Sequence, residues 1–74
     1  MASLDDDISR DLRQAGLAHA LAEGSMTEFL LRCRAYDWVN AEDARRRAVD
    51  HLDAYCDHMA ASYKRLEGAG AKAK

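Results

Sequence analysis

The sequence predicts an all-α protein: a small helical bundle with a kinked N-terminal helix, a middle helix and a long C-terminal helix, expected to be dimeric. Three observations predict this class. The chain of 74 residues contains no proline, the residue that most strongly interrupts helices. Residues that cap helices stand before each proposed helix. Between these caps, apolar residues recur every three or four positions, which is typical of a helix with one buried face.

Length and composition limit the possible classes. The length leaves room for one domain, which we place at residues 1–67, with 68–74 as a flexible C-terminal tail. A formal net charge of −2 argues against a dedicated nucleic-acid binder, and 49% hydrophobic residues are typical of a folded protein. No apolar run approaches the roughly 18 residues of a membrane span. The acidic N-terminus does not resemble a secretory signal, so a cytoplasmic location is expected, and the alanine- and arginine-rich composition suggests a bacterial or phage origin.

The first helix is predicted from its cap. Ser3 and Asp6 resemble a capping box, and the acidic run 5–7 suits the positive end of a helix dipole. Gly16 follows the last predicted turn, with Leu12 four residues before it and Leu17 directly after it, a pattern typical of a Schellman C-terminus. A break or sharp kink near Gly16 is therefore expected, followed by a short helical segment. A continuous helix is the alternative, because an interior glycine costs only about 1 kcal/mol.

The middle helix is predicted to follow Gly24. The sequence SMTE at 25–28 has the form of a capping box, with Ser25 as the N-cap and Glu28 reaching back to it. This helix is expected to run to about Trp38. Its main apolar stripe comprises Met26, Phe29, Leu30, Cys33 and Tyr36.

The long helix is predicted from Ala41, capped by Asn40, to about Leu66. The preceding helices are too short to cover all of its apolar stripe unless they fold back over it. A stripe that a monomer cannot bury indicates a partner site, so we expect a second copy of the chain or another protein to pack there. The stripe comprises Ala48, Leu52, Tyr55, Met59 and Leu66, widened by Val49, Cys56 and Tyr63.

The function expected from this pattern is that of a small non-enzymatic protein-binding module: a regulator, adaptor or inhibitor. It would dock through a helix face, as a homodimer. The predicted protein-binding residues are Leu52, Tyr55, Met59, Tyr63 and Leu66, with Trp38 as an exposed anchor.

The alternative is a nucleic-acid-binding regulator that uses an arginine cluster between residues 32 and 47. Acidic residues lie one turn from several of these arginines, which favours a solvated, charge-neutralised helix face instead. The predicted anion or nucleic-acid contacts are Arg32, Arg34, Arg45, Arg46 and Arg47.

No catalytic, metal or cofactor site is expected. His51 and His58 are seven residues apart, whereas metal-binding histidines on one helix usually lie three or four apart. Cys33 and Cys56 each lie on an apolar stripe and are expected to be small buried side chains. A bridge between them would require their helices to pack together.

Overall fold

The computed structural model is a hairpin of two α-helices and describes the backbone of residues 3–73 and the side chains of residues 3–70. Helix α1 spans Leu4–Arg34 and helix α2 spans Trp38–Ala73. The helices run antiparallel, because Glu28 contacts Arg47 near the turn and Asp11 contacts Arg65 near the other end. The molecule is a rod of 57 × 18 × 14 Å. The all-α prediction is confirmed, but two helices replace the expected three.

Helix α1 is continuous through both glycines, so the predicted break at Gly16 is wrong and the alternative is correct. The predicted helix start at Ser25 is also wrong, because Ser25 is a buried residue inside α1. The cause is a run of small buried residues at spacings of four and three, which continues through both glycine positions. Burying this run along α2 outweighs about 1 kcal/mol per interior glycine. The buried positions of α1 are Asp11, Ala15, Ala18, Ala22 and Ser25.

The first cap is as predicted. The Ser3 hydroxyl accepts a hydrogen bond from the Asp6 backbone N–H at 3.1 Å, and the Asp6 carboxylate accepts one from the Ser3 N–H at 3.4 Å. The acidic run 5–7 occupies the first turn of α1, where negative charge is stabilised by the helix dipole.

The turn between the helices is three residues long, and α1 ends at Arg34 rather than near Trp38. The Tyr36 N–H donates to the Cys33 carbonyl at 3.1 Å, and the Asp37 N–H donates to the Arg32 carbonyl at 2.9 Å. These two bonds form a Schellman motif in which Tyr36 has φ 56°. Glycine usually occupies this left-handed position, because a side chain there costs roughly 1–2 kcal/mol.

Helix α2 begins one turn earlier than predicted, and Asp37 rather than Asn40 caps it. The Asp37 carboxylate accepts from the Asn40 backbone N–H at 3.3 Å and from its side-chain amide at 2.7 Å. These hydrogen bonds from Asn40 lower the pKa of Asp37, with a smaller contribution from the charge of Arg32. The helix continues past Leu66 to Ala73. Flexibility of residues 68–74 stays a prediction, and Lys74 lies outside the described residues.

The helices meet along an alanine seam, which we define as Ala15, Ala18 and Ala22 of α1 with Ala41, Ala44 and Ala48 of α2. All six alanines are buried, and Ala22 and Ala44 are completely so. None of the large side chains among the described residues is fully buried. The hairpin therefore has a thin core of methyl groups, and most large apolar side chains lie outside it.

Candidate protein-docking surface

An exposed apolar row follows α2 next to the alanine seam. We call this row the α2 stripe and define it as Val49, Leu52, Cys56, Met59, Tyr63 and Leu66. Its members recur at alternating spacings of three and four, which is the repeat of a coiled-coil seam. Each side chain is exposed to solvent. The hairpin thus carries a second apolar row on α2 that α1 leaves partly exposed.

Ion pairs between α1 and α2 lie on the side of the alanine seam away from the α2 stripe. Arg47 contacts Glu28 at 2.8 Å. Near the helix termini, Arg65 contacts Asp11 at 2.7 Å and Asp7 at 3.5 Å. Hydrogen bonding by Asp11, followed by the carboxylate charges, raises the pKa of Arg65. The α2 stripe lies on the other side of the seam from Arg47.

Helix α1 extends the apolar face. Leu12 and Met26 directly follow the buried residues Asp11 and Ser25 and lie on the side of α1 away from Glu28. Leu30, four residues after Met26, continues the same row, and all three side chains are exposed. The sequence analysis did not place these residues on the same face as the α2 stripe. The spacing of the alanines could have indicated it, because the alanines define which sides of the two helices contact each other.

Tyr55 is the one predicted docking residue that the fold turns inward. It is half-buried, and its ring lies 5.5 Å from that of His19. Leu52, Met59, Tyr63 and Leu66 are brought together on the open face. The structure therefore places Tyr55 at the inner edge of the apolar face.

The turn presents a separate aromatic tip. Tyr36, Trp38 and Val39 are 78%, 61% and 82% exposed. The Tyr36 and Trp38 rings meet edge to face, with centroids 6.0 Å apart. Trp38 is thus exposed as predicted. The placement of Tyr36 on the apolar stripe of the middle helix is wrong, because α1 ends at Arg34 and the left-handed turn exposes the Tyr36 ring.

The candidate anion-binding arginines cluster near the turn, but acidic side chains engage most of them. Arg32 pairs with Glu28 and Asp37, and Arg47 pairs with Glu28 and Asp43. For Arg34, the described residues provide no ion pair. The structure thus brings the predicted arginines to one end of the rod together with compensating carboxylates.

Glu42 holds the other two arginines. Its carboxylate lies 2.6 Å from Arg45 and 3.4 Å from Arg46. The hydrogen bonds from Arg45 and then the nearby positive charges lower the pKa of Glu42 from 4.5 to about 2. The pairing therefore persists at neutral pH and is lost only as the pH falls through about 2.

Reactive side chains lie apart in this fold. Cys33 lies near the turn and Cys56 halfway along α2, so roughly 20 Å of helix separates them. That exceeds the Cα separation of about 4–7 Å that a disulfide requires. His51 and His58 are half-buried. Among residues 3–73, no three His, Cys, Asp or Glu side chains are grouped as metal ligands would be, and neither described helix has an apolar stretch sufficient to cross a bilayer.

Comparison with known proteins adds no relative. No family model, curated protein or solved structure matches the chain.

Proposed function

We propose that the chain is a small protein-binding module that acts as a regulator, adaptor or inhibitor by docking through a helix face. The observation that carries this proposal is the α2 stripe: six apolar or weakly polar side chains at coiled-coil spacing, exposed beside a core whose only buried apolar side chains, among the described residues, are alanines. Burying apolar surface contributes about 25 cal/mol per Å². A face of this kind gains free energy when another helix covers it.

The shape of the hairpin favours docking over catalysis. Two antiparallel helices leave an elongated rod only 14 Å across in its thinnest dimension, which offers little depth for enclosing a substrate. Leu12, Met26 and Leu30 widen the apolar face beyond one helix. A partner helix lying along the rod would contact both α1 and α2.

The aromatic tip provides a second contact area. Trp38 lines a surface pocket together with Val39, Glu42, Asp43 and Arg46, and Trp, Tyr and Arg are the residues most enriched at interface hot spots. Tyr36 occupies a backbone position where glycine is less costly. Strained backbone positions occur often at binding sites, and the exposed Tyr36 ring is available for such a contact.

Site-specific photo-crosslinking tests the proposal. A benzophenone amino acid is placed at Tyr63, in the α2 stripe, and in a matched variant at Lys64, the next residue, which lies off the stripe. Both positions are exposed, so neither change should disturb the hairpin. Irradiation in the native cell should give covalent protein adducts at position 63 and not at position 64.

The adducts should depend on the stripe. Adding Leu52→Asp places a charge in the apolar row and should remove the adducts at position 63, while circular dichroism confirms that the helices remain. Absence of any protein adduct at position 63, or equal adducts at both positions, would contradict docking through this face.

A further inference from the structure

We infer that the α2 stripe is covered by the same stripe of a second copy, antiparallel, in one register: Val49 opposite Leu66, Leu52 opposite Tyr63 and Cys56 opposite Met59. This inference rests on the proposed docking function and names the partner of the same surface. Three properties of the chain support it: the exposed area, the repeat of the stripe and the charges beside it.

The exposed area of the hairpin is larger than that of a compact monomer of the same mass, so a standard interface can be covered. A compact monomer of 8.2 kDa is expected to expose roughly 4,500 Å². The hairpin exposes 5605 Å². The excess of roughly 1,100 Å² exceeds the 800 Å² or so that each partner buries in a standard interface.

The repeat of the stripe favours a copy of itself. A coiled-coil seam is best covered by another seam of the same period, and the α2 stripe keeps strict spacings of three and four from Val49 to Leu66. Its length, about 25 Å of helix, fits wholly within α2. A second α2 therefore matches it in both length and period.

Charge selects the antiparallel orientation. In a parallel pair each residue meets its own copy, so Arg45, which precedes Val49 by four positions, would meet Arg45 of the second copy. An antiparallel pair in the stated register instead leaves Arg45 beyond the end of the apolar layers. It also places Arg46 beside Glu67 of the second copy, twice by symmetry.

Charge also selects the register. Sliding the antiparallel pair by one heptad would insert Arg45 opposite Tyr63 within the apolar layers. The same slide would place Asp53 beside Asp53 of the second copy. Like charges across a seam are unfavourable, whereas the stated register pairs unlike charges and keeps apolar side chains inside.

Disulfide trapping between single-cysteine chains tests this arrangement. Both native cysteines are first changed to alanine, after which Val49→Cys and Leu66→Cys are made in separate chains. The two chains are mixed in equal amounts and oxidised mildly. A disulfide-linked dimer should form in the mixture and only in traces with either chain alone, because identical cysteines lie about 25 Å apart in the antiparallel dimer. As a matched control, Lys64→Cys replaces Leu66→Cys, and its mixture should give only background crosslinking.

A charge swap gives a second measurement that needs no cysteine. Arg46→Glu should weaken self-association about three- to ten-fold, as expected for two exposed pairs. Adding Glu67→Arg should restore it. Arg46 and Glu67 lie 21 residues apart on one helix, about 31 Å, so rescue can arise only between copies. Sedimentation equilibrium supplies the affinities.

The possible results separate this inference from the docking function. Self-crosslinking of Val49→Cys alone would show a parallel pair and overturn the inference, as would a dimer whose mixture fails to crosslink. A solution mass of one chain at 100 µM or so would also overturn it. If such a monomer still gave adducts with another protein at position 63, the docking function would stand and only the second copy would be excluded.

Discussion

At the scale of single residues, Ser62 is a polar group that the hairpin interface does not satisfy. Its hydroxyl is buried without a hydrogen-bond partner among the described residues. Such a group costs roughly 1–3 kcal/mol, and alanine also has the higher helix propensity. We expect Ser62→Ala to raise the free energy of unfolding by about 1–2 kcal/mol, measured by urea denaturation.

The matched control is Ser9→Ala, because Ser9 is an exposed serine within helix α1. It changes helix propensity alone, so its gain should be at most a few tenths of a kcal/mol. An equal gain for both variants, or a loss at Ser62, would mean that the Ser62 hydroxyl is satisfied in solution.

At the scale of the helices, the decisive feature is that α1 crosses Gly16 and Gly24 without a break. Neither glycine has a positive φ, and a Cβ at either position would meet nothing within 4 Å beyond the adjacent backbone of its own helix. Alanine should therefore stabilise the helix at both sites. We expect Gly16→Ala and Gly24→Ala to raise the free energy of unfolding by 0.5–1 kcal/mol or so each, and nearly additively in the double variant.

The same substitutions discriminate between the two sequence interpretations of α1. If Gly16 ended a helix in the left-handed conformation, alanine there would be strained and the variant would lose stability. Urea denaturation and the helical circular-dichroism signal together report which occurs. A loss of stability for Gly16→Ala alone would show that the helix breaks at Gly16 and would contradict a continuous α1.

The helices also show how far the sequence alone could lead. Ser3, Asp6 and the absence of proline suffice for an all-α fold and for the first helix start, because caps act locally. The hairpin could not be predicted by following large apolar residues, since its interface is built from alanines. Gly16 and Gly24 wrongly suggested helix ends. Glycine inside a helix costs about 1 kcal/mol through local propensity, and packing of the alanine seam against α2, which the local sequence does not reveal, outweighs that cost.

In the candidate site, too, the sequence identified some residues, whereas others could be placed only from the fold. The six members of the α2 stripe were all named from the sequence as apolar positions of the long helix, because Leu52, Met59 and Leu66 repeat along one helix; their role in binding stays a prediction. Tyr55 belongs to the same periodic pattern, and only the position of α1 shows that it turns towards His19. The tip required knowledge of the turn, whose left-handed Tyr36 has no local sequence signature.

At the scale of the whole molecule, the distribution of charge bears on the nucleic-acid alternative. Five arginines lie near the turn, at positions 32, 34, 45, 46 and 47, together with four carboxylates, at positions 28, 37, 42 and 43. This end of the rod is therefore almost neutral, and the chain as a whole carries −2. Duplex binding needs several uncompensated positive charges, because its affinity comes mainly from counterion release.

We expect the wild-type chain not to bind a 20-base-pair duplex of random sequence at 150 mM salt, as measured by fluorescence anisotropy. Glu42→Gln removes the carboxylate shared by Arg45 and Arg46 and should produce weak binding at 20 mM salt that disappears as salt increases. Asp53→Asn changes the net charge equally but lies away from the arginines, so its effect should be smaller. Tight wild-type binding that falls steeply with salt and is lost in Arg45→Gln would instead establish the arginine cluster as a nucleic-acid contact. The outcome depends on whether the carboxylates near the turn neutralise the arginines, and not on the number of arginines alone.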